Sequence, residues 1–187
     1  MAFMYVDGSS KKVGKHTYEG YGVVLVVGDE MMEFSSGCVS TSKVQYHEHW
    51  AFLKGLTFAQ SLGVCTKSLR VYCDDALFGN ASFFLHDDNR SPMKEKVLAT
   101  LDAMGCNDVE RSLLLQTLQH GNYVKLKGHK QEVYQERVDY LAKFTARFLS
   151  GESTEFLPYD QWLSMGFKQF DKATNSMVVY YPPFVKM

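Results

Sequence analysis

The feature that most constrains the fold of this 187-residue chain is the segment at positions 20–27, whose last five residues are aliphatic and mostly β-branched. Its composition is typical of a buried strand, and Gly28 and Asp29 favour a hairpin turn into a second strand over residues 31–39. The apolar residues 2–6 precede it across a polar segment rich in Lys and Gly, which predicts a turn over residues 9–14. The N-terminal part of the chain is therefore predicted to be a meander of three strands.

Helices and strands follow this meander. Apolar residues at helical spacing predict a helix over residues 44–62, and Leu69–Cys73 is predicted to be a short buried strand reached by a parallel crossover. Similar patterns predict four further helices and one further strand: helices at 75–84, 93–104, 109–120 and 134–149, and a strand at 123–127. This order predicts an α/β fold with a mixed five-stranded sheet, three antiparallel strands and then two parallel ones, flanked by helices.

The residues 151–187 differ in character from the rest of the chain. They contain three of the four prolines and many aromatic side chains, and are too apolar for a solvated linker. We therefore expect a domain at residues 1–150 and an aromatic C-terminal extension. The extension is expected to pack back on the domain through a short helix at 159–165 and a strand at 176–181. The alternative is that it docks a partner.

Composition narrows the classes of function. A net charge of −1 gives no strong global field, so any phosphate binding has to come from a local patch. The cysteines at positions 38, 65, 73 and 106 lack CxxC spacing and nearby histidines, which disfavours zinc and favours reduced thiols. No apolar run approaches the roughly 20 residues of a membrane span, and no signal-peptide pattern is present. A cytoplasmic protein is expected.

Four acidic residues are predicted to lie where regular elements begin or end: Asp7, Glu48, Asp74 and Asp139. Each alone has an ordinary structural explanation, because acidic residues often cap helices and follow strands. Together they provide hard oxygen ligands suited to Mg²⁺ or Mn²⁺. Two such ions, about 3.5–4 Å apart, hold both oxygens of an in-line phosphoryl displacement in two-metal sites. The sequence therefore predicts a shared metal site.

The sequence around these acids resembles a known family. The motifs are VDGS at 6–9, QYHE at 45–48, YCDD at 72–75, and KGHK at 127–130 followed by ERVDYLA at 136–142. In this order they resemble type 1 ribonuclease H, the endonuclease that cuts the RNA strand of RNA–DNA hybrids. The resemblance covers roughly residues 1–150 and implies the ribonuclease H-like fold. It leaves the extension unexplained.

The resemblance implies a role for each acid. Asp7 would bridge two Mg²⁺ ions, with Mn²⁺ as a possible substitute, and Asp139 would help to hold the ion that activates water. Glu48 and Asp74 would hold the ion that stabilises the leaving 3′-oxygen, and the products would carry a 5′-phosphate and a 3′-hydroxyl. His129 would assist proton transfer and product release, a role suited to a side chain with a pKa near 6.5.

Contacts to an RNA–DNA hybrid are expected beside these acids. Lysines near Asp7 and His129 are candidates for phosphate contacts, although ordinary surface lysines would look the same, and three polar residues are candidates for the 2′-hydroxyls that distinguish RNA from DNA. The lysines are Lys11, Lys12, Lys127 and Lys130, and the polar residues are Ser9, Ser10 and Gln45.

Two departures from the family pattern keep other functions open. Val44 and Gln45 stand where two asparagines commonly precede the helix Glu, and the basic protrusion of some members is absent. One alternative is another nuclease of the same fold, an exonuclease or a resolvase. The other is a nucleic-acid-binding or protein-binding module, recruited through its aromatic extension, in which cleavage is weak or lost.

Overall fold

The computed structural model describes residues 2–42, 46–74, 92–120, 123–125, 132–171 and 176–180. Its main sheet has five strands in the order β3-β2-β1-β4-β5. β1, β2 and β3 pair antiparallel, whereas β4 and β5 run parallel to β1. The strands are β1 (Ala2–Val13), β2 (His16–Val27), β3 (Glu30–Ser40), β4 (Leu69–Cys73) and β5 (Tyr123–Lys125). The predicted fold class is therefore confirmed.

Four longer helices accompany this sheet, and a short 3-10 helix, Thr66–Ser68, leads into β4. The longer helices are α1 (His47–Ser61), α2 (Pro92–Met104), α3 (Asp108–Gln119) and α4 (Val133–Leu149). A capping box formed by Asn107 and Glu110 begins α3. The helix predicted at 75–84 lies outside the described residues.

The two faces of the sheet are covered by different helices, because side chains alternate along each strand. Met4 and Val6 of β1 belong to the larger apolar cluster, which also contains residues of α1, α2 and α3. Tyr5, between them, belongs to a smaller cluster with Val138 and Leu141 of α4. The central strand β1 therefore lies between α1 on one face and α4 on the other.

The first hairpin is longer than the sequence predicted. β1 and β2 pair without interruption from Ala2↔Val27 to Val13↔His16. The turn lies at Gly14, which has a φ of 60°, so the turn predicted at 9–14 was wrong. The polar residues 9–12 are half-buried or exposed, so they stay in a strand without any cost of burying unpaired polar groups.

The extension contains α5 (Tyr159–Ser164) and a separate two-stranded antiparallel sheet. The second strand of that sheet, β7 (Ser176–Tyr180), matches the predicted strand, and its partner β6 (Phe167–Asp171) was not predicted. The domain boundary at residue 150 stays a prediction. In the described part of the chain, no helix combines the length and the apolarity needed to cross a membrane.

Candidate metal and nuclease site

Asp7 lies at the centre of the site, within β1 and not at its end. Only 8% of the residue is exposed. Burial and the neighbouring charges of Asp139 and Asp74 raise the pKa of its carboxyl to about 8, and the charge of Glu48 acts in the same direction. The backbone N–H of Gly8 donates a 2.8 Å hydrogen bond to Oδ1 and opposes this shift. Asp7 therefore lies close to all three other predicted acids.

Gly8 brings Glu48 to this carboxylate by letting α1 touch the strand. A Cβ atom at Gly8 would lie 2.3 Å from the carbonyl carbon and oxygen of His47 and 2.6 Å from the backbone nitrogen of Glu48. Any side chain larger than hydrogen would therefore push the first turn of α1 away from β1. Gly8 itself stays in the strand, paired with Tyr21.

Two glycines of β2 bring Asp139 to the other side of the site. A Cβ atom at Gly22 would lie 2.2 Å from the carbonyl oxygen of Val138, and one at Gly20 would lie 2.1 Å from that of Ala142. Gly22 is also the cross-strand partner of Asp7. Backbone contact between β2 and α4 therefore sets how closely α4 approaches the sheet beside Asp139. Asp139 accepts a 2.7 Å hydrogen bond from Lys143 one turn further along the helix.

Asp74 directly follows β4, and its position is set by the parallel pairing of β4 with β1. The last paired residues are Tyr5 and Tyr72, each two residues before an acid. Asp7 and Asp74 therefore hold equivalent positions: each lies two residues beyond this last pair, Asp7 within β1 and Asp74 just after β4. Asp74 is exposed, in contrast to Asp7, so it is the acid of this group most open to solvent.

The four acids thus come from four parts of the chain, and the charges of the other three all act on Asp7. Among the described residues, no three His, Cys, Asp or Glu side chains are already arranged to hold one metal ion. The donor set of the four acids nevertheless fits a hard divalent cation, since all four supply carboxylate oxygens. A cation would also offset the unfavourable charge of Asp7, which is buried beside the other acids. The roles predicted for the four acids stay predictions.

The predicted substrate-contact residues are only partly described. Ser9 and Lys11 share the α4 face of β1 with Asp7, whereas Ser10 and Lys12 lie on the α1 face. Lys11 forms an ion pair with Glu152, so part of its charge is already balanced. His129, Gln45, Lys127 and Lys130 lie outside the described residues.

One buried acid beside the site was missed by sequence reasoning. Glu19 of β2 is 4% exposed and accepts a 3.1 Å hydrogen bond from the hydroxyl of Tyr21. Burial of the imidazole lowers the pKa of His47, and the charge of Glu19 opposes this shift only in part. Among the described residues, Nδ1 of His47 is buried without a hydrogen-bond partner. The period-2 pattern of β2 was the signal for Glu19, because it shares a face with Tyr21 and Val23.

A second missed residue is Arg137, whose side chain has no exposed surface. It lies two residues before Asp139 on α4 and forms an ion pair with Glu33 of β3. Nothing local to α4 predicts that Arg137 is covered. Its partners are Glu33 of β3, 104 residues away in the sequence, and Leu157 of the extension, 20 residues away.

Several solved structures are similar to this chain. LC11-RNase H1, isolated from compost by a metagenomic approach, is 16% identical over 80% of this chain and 97% of its own, with a TM-score of 0.50. The same protein in complex with an RNA/DNA hybrid is 18% identical over 80% of this chain and 99% of its own, with a TM-score of 0.50. RNase H1 from the halophilic archaeon Halobacterium salinarum is 19% identical over 81% of this chain and 98% of its own, with a TM-score of 0.49.

The similarity lies in structure and not in sequence. No protein-family profile matches the chain, and no curated protein matches it either. At identities below 25% the comparison establishes the fold, and the strand order and helix positions agree with it. The chain has a ribonuclease H-like fold. About 80% of this chain aligns with 97% and 99% of the length of the two LC11-RNase H1 chains.

Proposed function

We propose that this protein is a metal-dependent endoribonuclease that cuts the RNA strand of RNA–DNA hybrids. The observation that carries the proposal is the convergence of Glu48, Asp74 and Asp139 on Asp7 of the central strand, which raises the pKa of that carboxyl. Four carboxylates kept together in this way are unfavourable unless protons or cations balance them. A structurally similar ribonuclease H1 has been crystallised with an RNA/DNA hybrid, which supports the choice of substrate.

Two Mg²⁺ ions, with Mn²⁺ as a possible substitute, are the proposed cofactors. Asp7 would contact both ions, Glu48 and Asp74 would hold one, and Asp139 would hold the other. When bound, the ions would supply an activated water and charge stabilisation for the leaving 3′-oxygen, giving 5′-phosphate and 3′-hydroxyl ends.

The protein groups around the acids orient them. The N–H of Gly8 fixes one oxygen of Asp7 and leaves Oδ2 for a ligand, and Lys143 balances the charge of Asp139 through a 2.7 Å bond to its Oδ2. Ser9 lies two residues beyond Asp7 on the same face of β1. There its hydroxyl could donate a hydrogen bond to a ribose hydroxyl or accept one from it. The roles of His129, Gln45, Lys127 and Lys130 are proposed on the motif alone. A cytoplasmic site of action is proposed from the four free cysteines.

The test is cleavage of an end-labelled RNA–DNA hybrid with Mg²⁺ or Mn²⁺, beside double-stranded RNA, single-stranded RNA and duplex DNA. Asp7→Asn is the inactivating variant. Asp29→Asn, an exposed acid in the β2–β3 hairpin, is the matched control. Internal cuts confined to the RNA of the hybrid, present in the control and absent in Asp7→Asn, are expected. Cuts only from strand ends, or in duplex DNA, would instead indicate another nuclease of this fold. Absence of any cleavage with either metal would favour a binding module.

A further inference from the structure

Arg137 is a buried charge that joins three parts of the molecule. Its Nε and Nη2 atoms donate paired hydrogen bonds of 2.6 and 2.8 Å to the two carboxylate oxygens of Glu33 on β3. Its Nη1 atom donates a 2.9 Å bond to the backbone oxygen of Leu157 in the extension. A paired guanidinium–carboxylate contact fixes orientation as well as distance. Arg137 therefore ties α4 to β3 and to the extension at once.

Aromatic rings enclose the same guanidinium. Its central carbon lies 5.0 Å from the ring centre of Tyr140 on α4, and 5.2, 5.6 and 5.7 Å from those of three rings of the extension. Those three are Trp162, Phe156 and Tyr159. The Tyr140 hydroxyl also accepts a 2.8 Å bond from the backbone N–H of Leu157. Because a buried charge is costly unless it is paired and covered, Arg137 and the extension depend on each other.

Arg137 and Asp139 flank the strip of α4 that lies on the sheet. Residues two apart on a helix point about 200° apart, and Val138 between them contacts Gly22 of β2. On one side Arg137 is bonded to β3, and on the other Asp139 faces Asp7 of β1. A rotation of α4 about its axis would therefore move Asp139 towards or away from Asp7.

The contacts described for the first turn of α4 fix its rotation less firmly than the paired guanidinium–carboxylate contact does: the ring of Tyr134 packs on that of Tyr5, with the ring centres 5.3 Å apart. The N-cap residue of α4, Glu132, makes no capping hydrogen bond with its side chain. The hydroxyl of Tyr5 on β1 donates a 2.5 Å bond to Glu132, and this is a contact to a single flexible side chain. A groove of about 360 Å³ also lies between the extension and the part of α4 that carries Asp139 and Lys143. The extension thus borders the site without filling it.

We infer that Arg137 is a positioning residue, through which residues 152–164 of the extension hold Asp139 at the metal site. Arg137 touches no reacting atom: it fixes the rotation of α4 between β3 and the extension, and so the distance from Asp139 to Asp7. The inference rests on the proposed function, since it assigns a purpose to the position of Asp139.

The test is a double-mutant cycle on metal binding by the full chain, with Mn²⁺ titrated calorimetrically. The variants are Arg137→Met, Asp139→Asn and both together. Arg111→Met is the matched control, because Arg111 also pairs with a carboxylate, Asp102, and bonds to a backbone oxygen, of Cys106, but lies on α3. Loss of a residue that orients a ligand typically weakens metal binding about 10- to 100-fold, so Arg137→Met is expected to raise the Kd about tenfold or more.

The cycle separates positioning from general damage. If Arg137 acts through Asp139, the double variant and Asp139→Asn alone should bind Mn²⁺ with nearly the same Kd. Arg111→Met is expected to leave the Kd unchanged, and Arg137→Lys, which keeps the charge without the paired geometry, to give an intermediate Kd. Arg137→Lys also serves if the Met variant does not fold. Hybrid cleavage by Arg137→Met is expected to recover at saturating metal.

The outcomes distinguish this inference from the proposed function. A wild type that cuts hybrids and binds Mn²⁺, with Arg137→Met and Arg137→Lys binding as tightly, overturns the inference and leaves the function standing. Additive effects of Arg137→Met and Asp139→Asn overturn it as well, because they place the action of Arg137 elsewhere. A wild type that neither binds Mn²⁺ nor cuts the hybrid overturns both.

Discussion

Asp7 is an acid whose charged form the folded protein disfavours. It is buried beside three other carboxylates, and a single backbone N–H opposes their effect on its pKa. In the absence of a cation, its carboxyl with a pKa of about 8 holds a proton at neutral pH. A divalent cation would compete with that proton, so metal binding is expected to release protons near neutral pH.

A first prediction concerns stability and pH with the metal chelated. The unfolded chain releases the Asp7 proton near its ordinary pKa of 3.8, whereas the folded protein keeps it up to about 8. The stability that this proton contributes is therefore fully present below about pH 4 and is lost as the pH rises to about 8. Urea unfolding in EDTA should show that the free energy of unfolding of the wild type falls relative to that of Asp7→Asn between about pH 4 and pH 8. A difference between the two that does not change with pH would contradict the raised pKa of Asp7.

A second prediction separates the site from stability at two glycines. Gly8→Ala places a methyl group against the backbone of α1, so it should displace Glu48, lower unfolding free energy by roughly 1–3 kcal/mol and remove hybrid cleavage. Gly28→Ala is the control, because Gly28 has a φ of 62° and no atom near its Cβ position. It should cost about 1 kcal/mol through backbone strain and leave cleavage intact. Equal cleavage by the two variants would refute the steric role of Gly8.

Helix α4 is the element that combines the most functions. It packs by backbone contact on β2, carries Asp139 towards Asp7 and receives the extension through Arg137. On its exposed side Lys143 is paired with Asp139, and half of the Lys143 side chain remains exposed. A cation approaching Asp139 has to compete with this ammonium group.

A third prediction follows from that competition. Lys143→Met should tighten Mn²⁺ binding by roughly two- to fivefold, because exposed ion pairs contribute up to about 1 kcal/mol, and should change stability by no more than that. Lys54→Met is the control, since Lys54 pairs with Glu110 away from the four acids. Calorimetric titration of both variants measures the difference. Weaker binding by Lys143→Met would mean that Lys143 chiefly orients Asp139 for the cation.

At the level of elements, sequence patterns predicted the mixed five-stranded sheet and the helices α1 to α4 to within a few residues. They failed where the chain is polar but still paired: β1 continues through residues 9–13, and nothing in that composition distinguishes an exposed strand from a turn. The four acids could be predicted because each stands in a local motif. The burial of Glu19 was signalled only by the period-2 pattern of β2, and that of Arg137 had no local signal, because its carboxylate partner Glu33 lies 104 residues away on β3.

The whole molecule assembles its site from parts that are distant in the chain. β1, α1, β4 and α4 each supply one acid, so the site exists only when the sheet and both covering helices are in place. Ligands of the folded state stabilise it by mass action. Metal binding is therefore expected to be visible in the unfolding of the entire protein.

A fourth prediction uses this linkage. Mg²⁺ or Mn²⁺ should raise the melting temperature of the wild type, with a gain of about 2.7 kcal/mol at a metal concentration 100 times the Kd. Asp7→Asn should be more stable than the wild type in EDTA at pH 8, yet gain little from the metal. Asp29→Asn should behave like the wild type. Calorimetric melting at several metal concentrations tests this, and an equal metal response in Asp7→Asn would place the bound cation elsewhere.

The glycine contacts at Gly8, Gly20 and Gly22 have a consequence for how this protein tolerates sequence change. Where they occur, α1 and α4 rest on the main chain of the strands, with no side chain between them. Main-chain contacts have no rotamers, so the spacing of Glu48 and Asp139 from Asp7 does not depend on which aliphatic residues fill the rest of the core. Exchanges among aliphatic core residues of this protein are therefore expected to leave the distances from Glu48 and Asp139 to Asp7 unchanged.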